Sequence, residues 1–293
     1  MKKREAFRGV ALALSGILFI IALTSCGKKE ESEISKTEAT VATTEVTTTL
    51  PTTTQPTATQ PTVPLYSSPY KEAPVELRSE GVEYFLPASP PAPVNFFDDA
   101  VFVGDSVGNM LKYYAMGNGC MGDIVFLTSI SLGCDNALWD LNNPNEVHPT
   151  YQGEKIRVPE GIKKSDRKKV YIMLGLNDLS RLPEEKAFDN FKVFTDEVLK
   201  TTPDVKLYIQ SVTPVYRDRG IMTNEKINRY NAQVSKYCME KQWEFIDVAS
   251  VMRTEENTLK GEYCCDKNGL AMHPTNEALQ AWVDYLYTHS GIF

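Results

Sequence analysis

A serine, an asparagine and a histidine stand where apolar runs end or helices begin, and these are the types that nucleophilic attack on a carbonyl requires. Ser106 lies in VFVGDSVG, residues 101–108, where an apolar run stops at Gly104. Read as a turn, Gly104 bends the chain and Asp105 or Ser106 caps the next helix. Read as chemistry, the same turn presents the Ser106 hydroxyl as a nucleophile, and the two readings are compatible. Asn177 lies in LGLNDL, after the run KVYIML. Alone it is an ordinary turn residue, but its amide is a good donor to an oxyanion. His273 lies in GLAMHPTNEAL, just before a helix. Histidine supplies a general base that titrates near neutral pH. Of the three histidines, His148 falls in a polar loop and His289 in the tail, which leaves His273 best placed to serve Ser106. A single loop histidine is ordinarily solvated or structural, so the assignment rests on three strand-end signals in one sheet.

That sheet is legible as alternating signals. Strands are expected at 100–104, 124–128, 169–174, 205–212 and 243–248. The run KVYIML is apolar almost throughout, as suits a parallel strand covered on both faces. Helices are expected from 109, over 184–200, over 224–241 and over 276–287, where apolar residues recur at helical spacing. Five strands separated by helices predict one α/β domain with a parallel sheet. Ligands in such sheets bind at the carboxyl ends of the strands, where Ser106 and Asn177 fall.

The N-terminus follows a different logic. Lys2, Lys3, Arg4 and Arg8 precede an apolar stretch, Val10 to Leu23, and small residues lead to Cys26. This is a secretory signal, short of the roughly 20 apolar residues of a membrane span. Leu23-Thr24-Ser25-Cys26 resembles the lipobox of bacterial lipoproteins, which implies cleavage before Cys26 and lipidation of its sulfur. Residues 26–65 are Thr- and Pro-rich without an aromatic until Tyr66, a composition that cannot bury enough apolar surface to fold. As a flexible tether they would reach about 35 Å. Residues 66–94 are expected to be a lead-in packed on the domain, and residues 95–293 the domain itself. The net charge of −7 becomes −10 once residues 1–25, with four cations and Glu5, are removed. No basic stripe with interleaved aromatics occurs, so a nucleic acid is not an expected partner and a polyanion is disfavoured. Cys120, Cys134, Cys238, Cys264 and Cys265 are odd in number and cannot all pair, and Cys264-Cys265 is vicinal rather than zinc-spaced. One disulfide, such as Cys120 with Cys134, fits a compartment outside the cytoplasm.

Gly104-Asp105-Ser106, then Gly133, then Gly175-Leu176-Asn177-Asp178, then His273 resemble, in order, the four blocks of the SGNH (GDSL-type) hydrolases. FFDDAVFVGDS and VTPV (212–215) also look like bacterial members, and the similarity extends over residues 95–293. The resemblance implies a flavodoxin-like three-layer α/β sandwich with a five-stranded parallel sheet. It implies that Ser106 attacks an ester carbonyl, with His273 as base and then acid. The Ser106 and Gly133 N–H groups and the Asn177 amide would hold the oxyanion. No metal or organic cofactor is needed. One departure stands out. The family carries an acid three residues before its histidine, and here that position is Leu270. Asp266, Asp247 or a backbone carbonyl could orient His273 instead, with Asp266 preferred. Asp105 and Asp178 are read as structural acceptors for loop amides.

The expected function is a surface-anchored esterase, on the outer face of the cytoplasmic membrane, removing O-acetyl groups from a glycan, as a monomer. The polar-aromatic loop 138–155 is a candidate wall for a sugar, and no long apolar lid for a lipid is present. A glycan O-acyltransferase using the same residues is the alternative. A non-catalytic binding module, kept open by Leu270, is the third.

Overall fold

The computed structural model describes residues 63–70 and 72–292. The signal at 1–25, Cys26 and the tether up to residue 62 lie outside the described residues. Strand β1 (Ala100–Gly104) is buried along its whole length and feeds α1 (Ser106–Asn118). Strand β2 (Val125–Thr128) follows, then a short antiparallel hairpin of β3 (Thr150–Tyr151) and β4 (Glu154–Lys155). Helix α2 (Val158–Ser165) leads to β5 (Lys169–Met173), the single turn α3 (Leu176–Leu179) and α4 (Glu184–Thr201). Strand β6 (Lys206–Gln210), α5 (Asn224–Lys241), β7 (Glu244–Ile246) and α6 (Asn276–Thr288) complete the domain.

The main sheet runs β2-β1-β5-β6-β7, all parallel. Helices α1 and α6 pack together, and α4 packs on both α2 and α5, so a helix layer covers each face. This is the expected flavodoxin-like sandwich. Its chain order reverses between β1 and β5, the point where such sheets open a crevice for ligands. The Phe102 ring of β1 meets Trp282 of α6 edge-on at 5.9 Å, and Phe191 of α4 meets Tyr230 of α5 at 6.5 Å.

The segment 129–168, which carries no strong periodicity, holds the hairpin and α2, neither of them expected. Pairing of the lead-in begins earlier than Tyr66: Val94 N–H donates to Pro64 O at 3.0 Å and Leu65 bridges Pro93. The lead-in then clamps the domain, with Leu86 N–H donating to Phe245 O in β7 at 2.7 Å and Ala92 N–H to Tyr287 O in α6 at 2.9 Å. Val82, Leu86 and Ala92 are buried in the common core. No Cys120–Cys134 bridge is formed, and the five cysteines described are free thiols.

Candidate active site

Where β1 ends, Asp105 caps α1 by accepting the Val107 N–H at 2.9 Å, which makes Ser106 the first helical residue at the sheet's carboxyl edge. The loop before α6 brings His273 to the same edge. His273 Nε2 lies 3.0 Å from Ser106 Oγ, and His273 Nδ1 lies 2.7 Å from Asp266 Oδ2. A carboxylate at Nδ1 favours the tautomer protonated there, leaving Nε2 to accept from the serine hydroxyl.

Asp266 reaches the ring from seven residues upstream because its loop closes on itself. Gly269 and Ala271 N–H groups donate to Asp266 O at 2.7 and 3.2 Å, with Ala271 in the left-handed region at φ 61. Cys265 N–H donates to His273 O at 3.0 Å and Cys264 bridges Pro274, which ties the two ends of the loop together. The second oxygen, Oδ1, accepts the Met272 and His273 N–H groups at 3.0 Å each. Partial burial opposes ionisation of Asp266, but the His273 ring, the His273 N–H and the Cys264 thiol outweigh it and hold the carboxyl below its ordinary range. Asp247 is not an alternative. It is buried against the lead-in, accepting the Ser79 N–H at 2.8 Å and the Ser79 hydroxyl at 2.6 Å. Leu270, at the position of the usual acid, is half exposed and lines the cavity in front of Ser106.

The three expected oxyanion donors stand differently. Ser106 N–H makes no hydrogen bond to another described residue. Asn177 lines the cavity, but its Nδ2 already donates to Asp105 Oδ2 at 3.1 Å and to Leu132 O at 3.0 Å. Gly133 N–H is engaged as well, donating to Asn136 Oδ1 at 2.8 Å, and Gly133 is not among the residues lining the cavity. Asp178 holds this loop, accepting the Cys134 and Asp135 N–H groups at 2.9 and 3.1 Å. A Cβ at residue 133 would stand 2.5 Å from Asp178 Oδ2, so this close approach is what demands glycine there. Asp105 and Asp178 bind loop amides as expected. Desolvation pushes each up to about 6, partly countered by those backbone donors.

The cavity in front of Ser106 is about 450 Å³. Its wall includes Leu270 together with Ile130, Ser131, Arg219 and Met222, and these last four are marked by no sequence motif. The loop 138–155 is not on that wall. It folds back on the core, with His148 buried and its Nε2 2.9 Å from Trp139 O. Among the described residues, no group of three His, Cys, Asp or Glu side chains is placed to hold a metal ion.

Residues 154–281 match the model of the GDSL-like lipase/acylhydrolase family. That span contains Asn177, Asp266 and His273 and begins after Ser106. A search of curated proteins finds none that matches. Among solved structures the chain is similar to a GDSL-like lipase from Bacteroides thetaiotaomicron at 18% identity and TM-score 0.50, covering 64% of this chain and 84% of that one. It is also similar to an acetyl xylan esterase (12%, TM-score 0.47, 66% and 99% covered). A further neighbour is the C-terminal catalytic domain of peptidoglycan O-acetyltransferase A from Streptococcus pneumoniae (14%, TM-score 0.42, 65% and 90% covered). At these identities the likeness bears on the fold alone.

Proposed function

We propose that this chain, a member of the GDSL-like lipase/acylhydrolase family with the SGNH hydrolase fold, is a serine esterase. It removes small acyl groups, O-acetyl first among them, from a carbohydrate or cell-wall glycan at the bacterial surface. The observation that carries the mechanism is the continuous chain Ser106 Oγ, His273 Nε2, His273 Nδ1, Asp266 Oδ2, with separations of 3.0 and 2.7 Å across the ring. Ser106 Oγ attacks the ester carbonyl while its proton passes to His273 Nε2. Asp266 stabilises the imidazolium that forms and keeps the ring in register. Ser106 N–H meets the oxyanion, and Asn177 joins by turning one amide hydrogen from Leu132 O or Asp105. Each such donor is worth about 10²–10³ in rate. His273 returns the proton to the leaving alcohol, and water then hydrolyses the acyl-enzyme by the same path in reverse.

The surface location rests on sequence alone: the signal at 1–25, the lipid expected on Cys26 and the tether that follows. A tethered enzyme acts on a fixed polymer within its reach, which suits a wall glycan better than a diffusing lipid. The Asp266 contact at His273 Nδ1 supports this reading over a non-catalytic module.

The test is hydrolysis of p-nitrophenyl acetate and labelling by a fluorophosphonate, each beside Ser106→Ala and His273→Ala. Activity and labelling that vanish in the Ser106 variant support the reading. A native protein no faster than Ser106→Ala sinks it. Product analysis with an acetyl donor and a glycan acceptor separates hydrolysis, which yields acetate, from transfer, which yields acetylated acceptor.

A further inference from the structure

The cavity in front of Ser106 is electrostatically lopsided. The chain as a whole carries −7, yet no lining residue is acidic, and beside His273 the only ionisable side chain in the wall is Arg219. A second guanidinium sits close by and is neutralised. Arg181 pairs with Asp135 through Nη2 and Nη1 at 2.9 and 3.3 Å and donates from Nε to Asn177 O at 3.0 Å. Arg219 has no carboxylate partner among the described residues. Its one side-chain bond runs from Nη1 to Gly269 O at 2.6 Å. The opposite edge of the fork, Nε and Nη2, is unengaged, and that edge matches a carboxylate in bidentate geometry. The turn that bears Arg219 is braced: Arg219 and Met222 exchange N–H to carbonyl bonds at 2.8 and 3.0 Å around Gly220 in the left-handed region. Tyr216 N–H donates to Ala271 O at 2.7 Å, which seats the same segment on the His273 loop. The neighbouring Asp218 is committed to Asn224 N–H at 2.8 Å.

We infer that Arg219 reads a carboxylate on the alcohol side of the ester, so that the substrate is an acylated sugar unit bearing a single negative charge close to its acylated hydroxyl. This rests on the esterase reading above. It is compatible with the acidic chain, because the net charge acts at long range and is screened beyond about 8–10 Å, whereas a bidentate contact acts at contact distance. Leu270 and Met222, on the same wall, leave the acyl group an apolar surface.

The test uses two esters that differ in one charge, 4-acetoxybenzoate and 4-acetoxybenzamide, with the native protein, Arg219→Gln and Arg219→Lys at low salt. The native protein should favour the carboxylate in kcat/KM. In Arg219→Gln the ratio of carboxylate to amide should fall about 10–100-fold, the range expected for a charged hydrogen-bonded contact. Arg219→Lys should retain part of it. A native ratio near one overturns the inference. So does an equal fall for both esters in Arg219→Gln, which would make Arg219 only a brace for the Gly269 loop. Calorimetric titration of Ser106→Ala with 4-acetoxybenzoate, with and without Arg219→Gln, reads the same contact without turnover. Binding that depends on Arg219 there, with no turnover by the native protein, would discard the esterase reading and keep the charge reading. Binding indifferent to Arg219 would discard the charge reading.

Discussion

Asp266→Asn tests the least expected part of the site. The substituted amide can keep its oxygen towards the Met272 and His273 N–H groups, which Oδ1 now accepts at 3.0 Å each. Its NH2 then faces His273 Nδ1, where Oδ2 stood at 2.7 Å. An amide hydrogen pointing at Nδ1 makes that nitrogen an acceptor, so the ring proton moves to Nε2. Nε2 then donates towards Ser106 Oγ and can no longer take its proton. In a serine triad this tautomer error costs about 10⁴ in kcat. Both side chains here are about one-fifth exposed, so water can support some of the productive tautomer, and a loss of about 10³-fold is expected. That is about 4 kcal/mol of transition-state stabilisation. The retained backbone bonds should limit the stability cost to about 1 kcal/mol, or a few degrees in Tm. The assay is steady-state hydrolysis of p-nitrophenyl acetate, with the fluorophosphonate labelling rate as an independent measure of nucleophile activation and thermal unfolding as control. Both rates should fall together while Tm barely moves. A folded Asp266→Asn protein within tenfold of native activity would refute the reasoning and give the orienting role to another group. Adding Leu270→Asp should not restore the loss, because that side chain faces the cavity.

Asn177→Ala should lower kcat about 10²–10³-fold through the oxyanion. It should also destabilise the fold by about 1–3 kcal/mol, because Asp105 and Leu132 O lose a donor; combined kinetics and denaturant unfolding read both effects. Gly133→Ala should cost about 1–3 kcal/mol from its clash with Asp178, whereas Gly117→Ala, in open space on α1, should stabilise by about 0.5–1 kcal/mol. Equal unfolding midpoints for those two variants would contradict the packing described. Asp178 is raised from 3.8 to about 6, so its contribution to folding is fully present below about pH 4 and is lost as pH rises through 6. Asp178→Asn should therefore gain on the native protein by about 2–3 kcal/mol between pH 4 and 7, measured as the change in their stability difference, and a constant difference would refute the shift.

The order and burial of the strands were readable from the chain itself, because a parallel strand covered on both faces must be a continuous apolar run, as AVFVG and KVYIM are. The placement of Ser106 and Asn177 followed, since each directly succeeds such a run and the rim of an α/β sheet is where those ends meet. His273 was legible by type and by the helix after it. What no local pattern encodes is contact between distant segments. Ser106 and His273 are 167 residues apart, and only the closed sheet brings them to 3.0 Å. Asp266 is confined to the ring by a loop that turns through Ala271 at positive φ, a conformation no spacing rule announces. Gly133 was marked for its N–H alone; that the buried Asp178 carboxylate fills the space a Cβ there would need is visible only in the folded chain. Arg219 carries no motif at all. Its place in the cavity wall follows from the 216–222 turn docking on the 266–273 loop, a decision made by tertiary packing alone.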